Sequence, residues 1–151
     1  MVKRGFGDIK KSDEITKASK PTALLLPNTV FFDTKLAILE AVVEYLKEKK
    51  GLNYREIGLV LNRDERNIWT IYSRVRKKRE AAKRIPTPKP RLSVPISVLK
   101  DRTLSGFEAI VEWLKDHKKL SFHEIGILLN RDERNIWTVH HRAKVKRGKY
   151  V

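Results

Sequence analysis

Residues 61–70 read Leu61-Asn62-Arg63-Asp64-Glu65-Arg66-Asn67-Ile68-Trp69-Thr70, and the same letters return as Leu129-Asn130-Arg131-Asp132-Glu133-Arg134-Asn135-Ile136-Trp137-Thr138. A repeat of this kind constrains the fold before any local reading does, because each copy must build the same supersecondary unit. At the same offset of 68 residues Pro27 meets Pro95, Asp33 meets Asp101, Leu36 meets Leu104, Glu40 meets Glu108, Tyr45 meets Trp113, and Glu56-Ile57-Gly58 meets Glu124-Ile125-Gly126. The unit is about fifty residues long, the size of a small helical domain and too long for most single solenoid repeats.

Within the quoted stretch, Asn62-Arg63-Asp64 is a tight turn ending on an N-cap aspartate, and Ile68, Ile71, Tyr72 and Val75 then supply one apolar face of a helix. Upstream, Asn53 to Glu56 and Ser121 to Glu124 are capping boxes that open a short helix, with Phe122, Ile125, Leu128 and Leu129 as its apolar residues in the second copy. A further box, Ser105 to Glu108, opens an amphipathic helix bearing Phe107, Ile110, Val111 and Leu114. The predicted fold is therefore all-α: two tandem three-helix helix-turn-helix domains from an internal duplication, with short extended arms before each. The arms, 24–32 and 92–99, are β-branched and interrupted by proline, and they read equally as short strands or as packing arms. They are expected to bind the two halves to each other or to make a dimer.

The expected boundaries are a basic, disordered tail over 1–20, a first domain over 21–79, a basic proline-rich linker over 80–94, and a second domain over 95–151 with a basic C-terminal tail. Pro86, Pro88 and Pro90 prevent a helix from passing through the linker. Fully extended, it would reach roughly 50 Å, more than the ~34 Å that separates half-sites one DNA turn apart.

The 151 residues carry 34 Lys+Arg against 18 Asp+Glu, a net charge of +16, which favours a polyanionic partner. The absence of cysteine excludes disulfides, zinc-thiolate sites and cysteine nucleophiles. The sequence has no signal-peptide core and no apolar run of membrane length, so a cytoplasmic, nucleoid-associated protein without a membrane partner is expected. His117, His123, His140 and His141 lack companions at metal-ligand spacing. The repeated carboxylate pairs Asp64-Glu65 and Asp132-Glu133 sit side by side at helix starts, where they complement the helix dipole and do not converge on one ion. No catalytic residue, metal or cofactor is expected.

Placing Ile68 on the core at about 100° per residue leaves Arg66, Thr70 and Ser73 on the opposite face. Glu65 and Trp69 fall on one flank, Asn67, Arg74 and Lys77 towards the other. The second copy presents Arg134, Thr138 and His141, flanked by Glu133, Trp137, Asn135 and Arg142. Arginine and asparagine bind guanine and adenine bidentately, and a helix of this kind fits the major groove. Arg63 and Arg131 in the turns, and Lys144 in the basic stretch 142–149, complete the expected DNA contacts. The stretch 74–79 is expected to add phosphate contacts in the same way. Trp69 and Trp137 are expected to be buried or half-buried against the first helix, Glu56 and Glu124 to serve as helix caps, and Gly58 and Gly126 to allow close packing against the third helix.

Residues 52–75 and 120–143 resemble the region-four helix-turn-helix of bacterial sigma factors. The resemblance implies promoter-type DNA binding through Glu65, Arg66, Trp69, Thr70 and Ser73 and through Glu133, Arg134, Trp137, Thr138 and His141. It is confined to region four, since nothing in the chain resembles the aromatic-rich segment with which sigma factors melt a promoter. The expected function is that of a sequence-specific double-stranded DNA-binding regulator. The alternative is an architectural, nucleoid-type protein with little sequence preference. RNA polymerase and a second copy of the chain are further candidate partners.

Overall fold

The computed structural model describes residues 24–148, so the tail expected over 1–20 lies outside the described residues. In chain order they form β1 (Leu25–Pro27), a 3-10 turn (Asn28–Phe31), α1 (Ile38–Glu48), α2 (Tyr54–Leu61), α3 (Glu65–Ala81), β2 (Ser93–Pro95), a second 3-10 turn (Ile96–Lys100), α4 (Gly106–Asp116), α5 (Phe122–Leu129) and α6 (Glu133–Lys146). The fold is mostly helical, and each arm resolves as a three-residue strand followed by a 3-10 turn. The α3 helix passes the expected boundary at 79 and stops at Ala82, whose φ of −147° is extended.

Local chemistry sets the helix starts. Asn53 and Ser121 accept the N–H of Glu56 and Glu124 at 2.8 and 3.0 Å, and those glutamates accept the cap N–H groups in return at 2.9 and 2.8 Å. Ser105 and Glu108 close the same box at α4. In the first copy Ala37 replaces the serine, so only the return bond from its N–H to Glu40 remains, at 2.9 Å. Asp64 and Asp132 each accept the N–H two residues on, at 2.7 Å. These bonds satisfy donors that the first helical turn leaves open.

The two halves are not separate domains on a tether. The strands pair antiparallel, with Leu26 opposite Val94, Leu25 opposite Pro95 and Pro27 opposite Ser93. Each half's 3-10 turn packs on the middle helix of the other half, the second turn on α2 and the first on α5. The consequence is a shared core, in which Leu26, Phe31, Ile57, Leu61 and Ile68 form one cluster with Val94, Ile96, Leu99, Ile125, Leu129 and Ile136. A three-helix unit of this size buries too little apolar surface by itself, and the exchanged arms supply the cover.

Asn28 ties down the linker. Its side chain is 1% exposed, its Oδ1 accepts the N–H groups of Arg91 and Leu92 at 2.8 and 3.2 Å, and its Nδ2 donates to the Leu128 carbonyl at 3.3 Å. A buried amide with three partners satisfies most of its hydrogen-bonding capacity and holds the linker's end against the second half.

Carboxylates of the first helices, and of the segments just before them, hold the far ends of the third helices. Arg79 meets Asp33 at 2.7 Å and Glu44 at 2.8 Å, and its repeat counterpart Arg147 meets Asp101 at 2.6 Å and Glu112 at 2.9 Å. Lys78 meets Glu40 at 2.6 Å and Lys146 meets Glu108 at 2.7 Å. Burial pushes the Asp33, Glu44 and Glu108 carboxyls up, but hydrogen bonds from Arg79 and Lys146 outweigh it and hold all three below their ordinary range. Asp101 is lowered from 3.8 to about 2, first by the Thr103 backbone N–H and then by Arg147.

Each of these groups is depressed in the folded chain. Its contribution is present above its unfolded value, 3.8 for aspartate and 4.5 for glutamate, and is lost as pH falls towards the folded value. The melting temperature, followed by circular dichroism, should therefore fall as pH drops from about 4.5 to about 2. An unchanged melting temperature across that window would contradict the assignment.

Candidate nucleic-acid interface

The second and third helices of each half meet at a tight turn that fixes how the third helix leaves the core. Asn62 and Asn130 end α2 and α5 in the left-handed conformation, each at φ 58° and ψ 47°, which asparagine tolerates better than most residues. The following arginines return their N–H groups to the carbonyls of Gly58 and Gly126, at 2.8 and 2.9 Å. A Cβ on Gly58 would stand 2.6 Å from the Arg63 carbonyl oxygen, and one on Gly126 2.7 Å from that of Arg131. The glycines are thus demanded first by the turn's own backbone, with the start of the third helix the next nearest neighbour.

The core side of α3 is Ile68, Ile71 and Val75, and that of α6 is Ile136, Val139 and Ala143. On the outer side Glu65, Arg66, Asn67, Trp69, Arg74 and Lys77 are exposed, with Thr70 and Ser73 half-buried. In the second half Glu133, Arg134, Asn135, Trp137, His141 and Arg142 are exposed and Thr138 half-buried. The predicted faces are therefore brought together on the surface of each third helix. Thr70 and Thr138 donate their hydroxyls back to the Arg66 and Arg134 carbonyls at 3.0 Å.

Three of the expected contacts take other roles. Arg63 donates from Nη1 to the carbonyls of Leu61 at 2.8 Å and Leu99 at 3.2 Å, and Arg131 does the same to Leu129 at 2.7 Å and Phe31 at 3.0 Å. Both guanidinium groups are partly buried, and desolvation lowers their pKa. They clasp one half to the arm of the other. Lys144 turns inward, paired with Asp116 and with Glu112 at 3.7 Å. The stretches 74–79 and 142–149 are split in the same way: Lys78, Arg79, Lys146 and Arg147 point to carboxylates of the first helices and of the segments just before them, and Lys149 lies outside the described residues.

Trp69 and Trp137 overturn the expectation of burial, being 57% and 53% exposed. The position next to Ile68 and Ile136 lies about 100° around the helix from the core stripe, and α1 and α4 do not reach that far. The Trp137 indole stacks on His141 with ring centroids 5.1 Å apart and 7° between planes. Composition gave no signal for two further surface residues, Leu59 and its counterpart Ile127, which are 69% and 52% exposed on α2 and α5. Ile127 borders a shallow groove with His123, Asn130, Asp132 and Glu133 at the start of α6. Their hydrophobic type suggests burial, and only the helical phase places them outside.

Among the described residues no group of three or more His, Asp or Glu side chains is placed to hold a metal ion, and no helix is long and apolar enough to cross a membrane. No protein-family model, curated protein or solved structure matches the chain.

Proposed function

We propose that this protein is a sequence-specific double-stranded DNA-binding protein, a transcriptional regulator that inserts α3 and α6 into the major groove. The observation that carries this reading is the division of charge on the two helices. Lys78, Arg79, Lys144, Lys146 and Arg147 are neutralised by carboxylates of the first helices, whereas Arg66, Arg74, Lys77, Arg134 and Arg142 have no ion-pair partner among the described residues. The unpaired cations share a face with Asn67, Thr70, Asn135 and Thr138, the side-chain types that read base edges. The turn geometry presents that face at the start of each helix, where recognition helices contact bases. The resemblance of residues 52–75 and 120–143 to sigma region four supports the same assignment.

In this reading Arg66 and Arg134 bind base edges, while Arg74, Lys77 and Arg142 neutralise phosphates. The exposed indoles of Trp69 and Trp137 offer flat apolar surface to thymine methyls and sugars. Affinity should fall with salt by a slope of about −0.9 per phosphate neutralised.

The test is selection from a random duplex library at about 150 mM salt, where non-specific binding is weak, with the double variant R66A/R134A in parallel. A defined motif should emerge. The variant should bind it roughly 30-fold or more weakly, since each bidentate arginine-guanine contact is worth about 1–3 kcal/mol, and should melt at the wild-type temperature. Uniform retention of all sequences by both proteins would replace the regulator with an architectural DNA-coating protein.

A further inference from the structure

We infer that the two recognition helices read inverted half-sites, so that the operator is an approximate palindrome centred on the Leu26–Val94 pair's axis. The inference rests on the DNA-binding reading above and adds what the sequence leaves open, the relative direction of the two sites.

The contacts between the halves determine the symmetry. Shifting every residue of the first half by 68 and every residue of the second by −68 turns the Leu25–Pro95 pair into the Ser93–Pro27 pair and returns Leu26–Val94 to itself. The bond from Asn28 N–H to the Leu92 carbonyl, 2.9 Å, becomes that from Ile96 N–H to the Leu24 carbonyl, 3.1 Å. Asn62 Nδ2 on the Lys100 carbonyl becomes Asn130 Nδ2 on the Phe32 carbonyl, both at 3.1 Å. Arg63 on Leu99 becomes Arg131 on Phe31. A contact set that maps onto itself when the halves are exchanged belongs to a two-fold axis, the isologous arrangement of a dimer. Head-to-tail packing, which direct half-sites would require, produces contacts that do not exchange.

A DNA duplex has two-fold axes perpendicular to its length, and a two-fold pair of helices engages it equivalently when the axes coincide. Each helix then meets the same sequence on opposite strands. Because the halves share a core and clasp each other through the partly buried Arg63 and Arg131, the separation of the two helices is fixed. The proline-rich linker does not set it.

The palindrome is also imperfect in a definite way. Arg66, Asn67, Trp69 and Thr70 equal Arg134, Asn135, Trp137 and Thr138, but Ser73 faces His141 and Lys77 faces Val145 across the repeat. The half-sites should agree at bases read by the first two turns and differ where Ser73 and His141 stand.

The experiment takes the full chain and the half-site recovered by the selection, and measures Kd for duplexes carrying it inverted, direct, singly, and inverted with about five added base pairs, half a helical turn. The inverted duplex at the selected spacing should bind about tenfold or more tightly than each of the other three. H141S should make the preferred operator more symmetric. Equal affinity for direct and inverted arrangements, or for one half-site and two, overturns the inference while leaving sequence-specific binding in place. Failure of the selection to yield any half-site removes the sequence-specific reading and the inference together.

Discussion

A chain ended after Ile85, holding only the first half, should not form a folded monomer. The cut removes Val94, Ile96 and Leu99, each at most 1% exposed in the intact protein, and uncovers Leu26 and Phe31, which are 0% exposed. Burial of a side chain of this type is worth about 1.5–3 kcal/mol, so uncovering these two alone puts roughly 3–6 kcal/mol at stake, a large part of the stability of a small domain. The partners of the clasp go as well, since the Leu99 carbonyl that receives Arg63 and the Lys100 carbonyl that receives Asn62 are absent. The two-fold character of the contacts leaves one way to recover the loss: two copies of the half could pair β1 with β1, Leu26 opposite Leu26. Sedimentation velocity with circular dichroism should therefore find an unfolded monomer at low concentration and a helical dimer at high concentration. A helical monomer that melts near the temperature of the full chain would contradict the shared core.

The second large effect is expected at the glycines under the turns. Replacing glycine by alanine within an exposed helix normally stabilises by about 1 kcal/mol. At Gly58 and Gly126 the sign should reverse, because the new Cβ would sit 2.6 and 2.7 Å from the Arg63 and Arg131 carbonyl oxygens, in a turn held close by the N–H bonds of the same two arginines to the glycine carbonyls. Relief requires moving the turn, and with it the start of the recognition helix. Over-packing of this kind costs about 1–3 kcal/mol per site, and the two sites have different neighbours, so G58A/G126A should lose roughly 2–6 kcal/mol in denaturant melts. Wild-type stability of the double variant would mean that the turn is looser than described.

The three-helix units were legible because their signals are local and doubled. Capping boxes at Asn53, Ser105 and Ser121, N-caps at Asp64 and Asp132, and the apolar phase of Ile68, Ile71 and Val75 all appear where the sequence places them. That the apolar arms could join the halves was legible, but not whether they would do so or form a dimer, nor the strand pairing, since a three-residue strand beside prolines has no periodicity to read and pairing of distant strands is not encoded locally. Arg63 and Arg131 read as DNA contacts because they are basic and adjoin the recognition helix. The left-handed asparagine before each one accompanies a turn in which the guanidinium bonds back to backbone carbonyls.

The inward ion pairs did leave a trace in the sequence. Asp33, Glu40 and Glu44 recur at the repeat offset as Asp101, Glu108 and Glu112, and Lys78 and Arg79 recur as Lys146 and Arg147. The repeat alone does not tell these cations from Arg66 and Arg134, which recur beside Glu65 and Glu133; only the packing of the first helix on the third separates the paired from the unpaired. The exposed tryptophans were misread through their size, which favours burial on average but does not override helical phase.

The most direct test of the central claim, that α3 and α6 together form a DNA-binding surface, is a backbone amide NMR titration of the intact chain with the selected duplex. Shifts should concentrate at residues 65–77 and 133–142, appearing in both halves at the same ratio of DNA to protein, with the buried Leu26 and Val94 of the β1–β2 pair unmoved. Shifts confined to the linker over 82–92, or to one third helix alone, would contradict it.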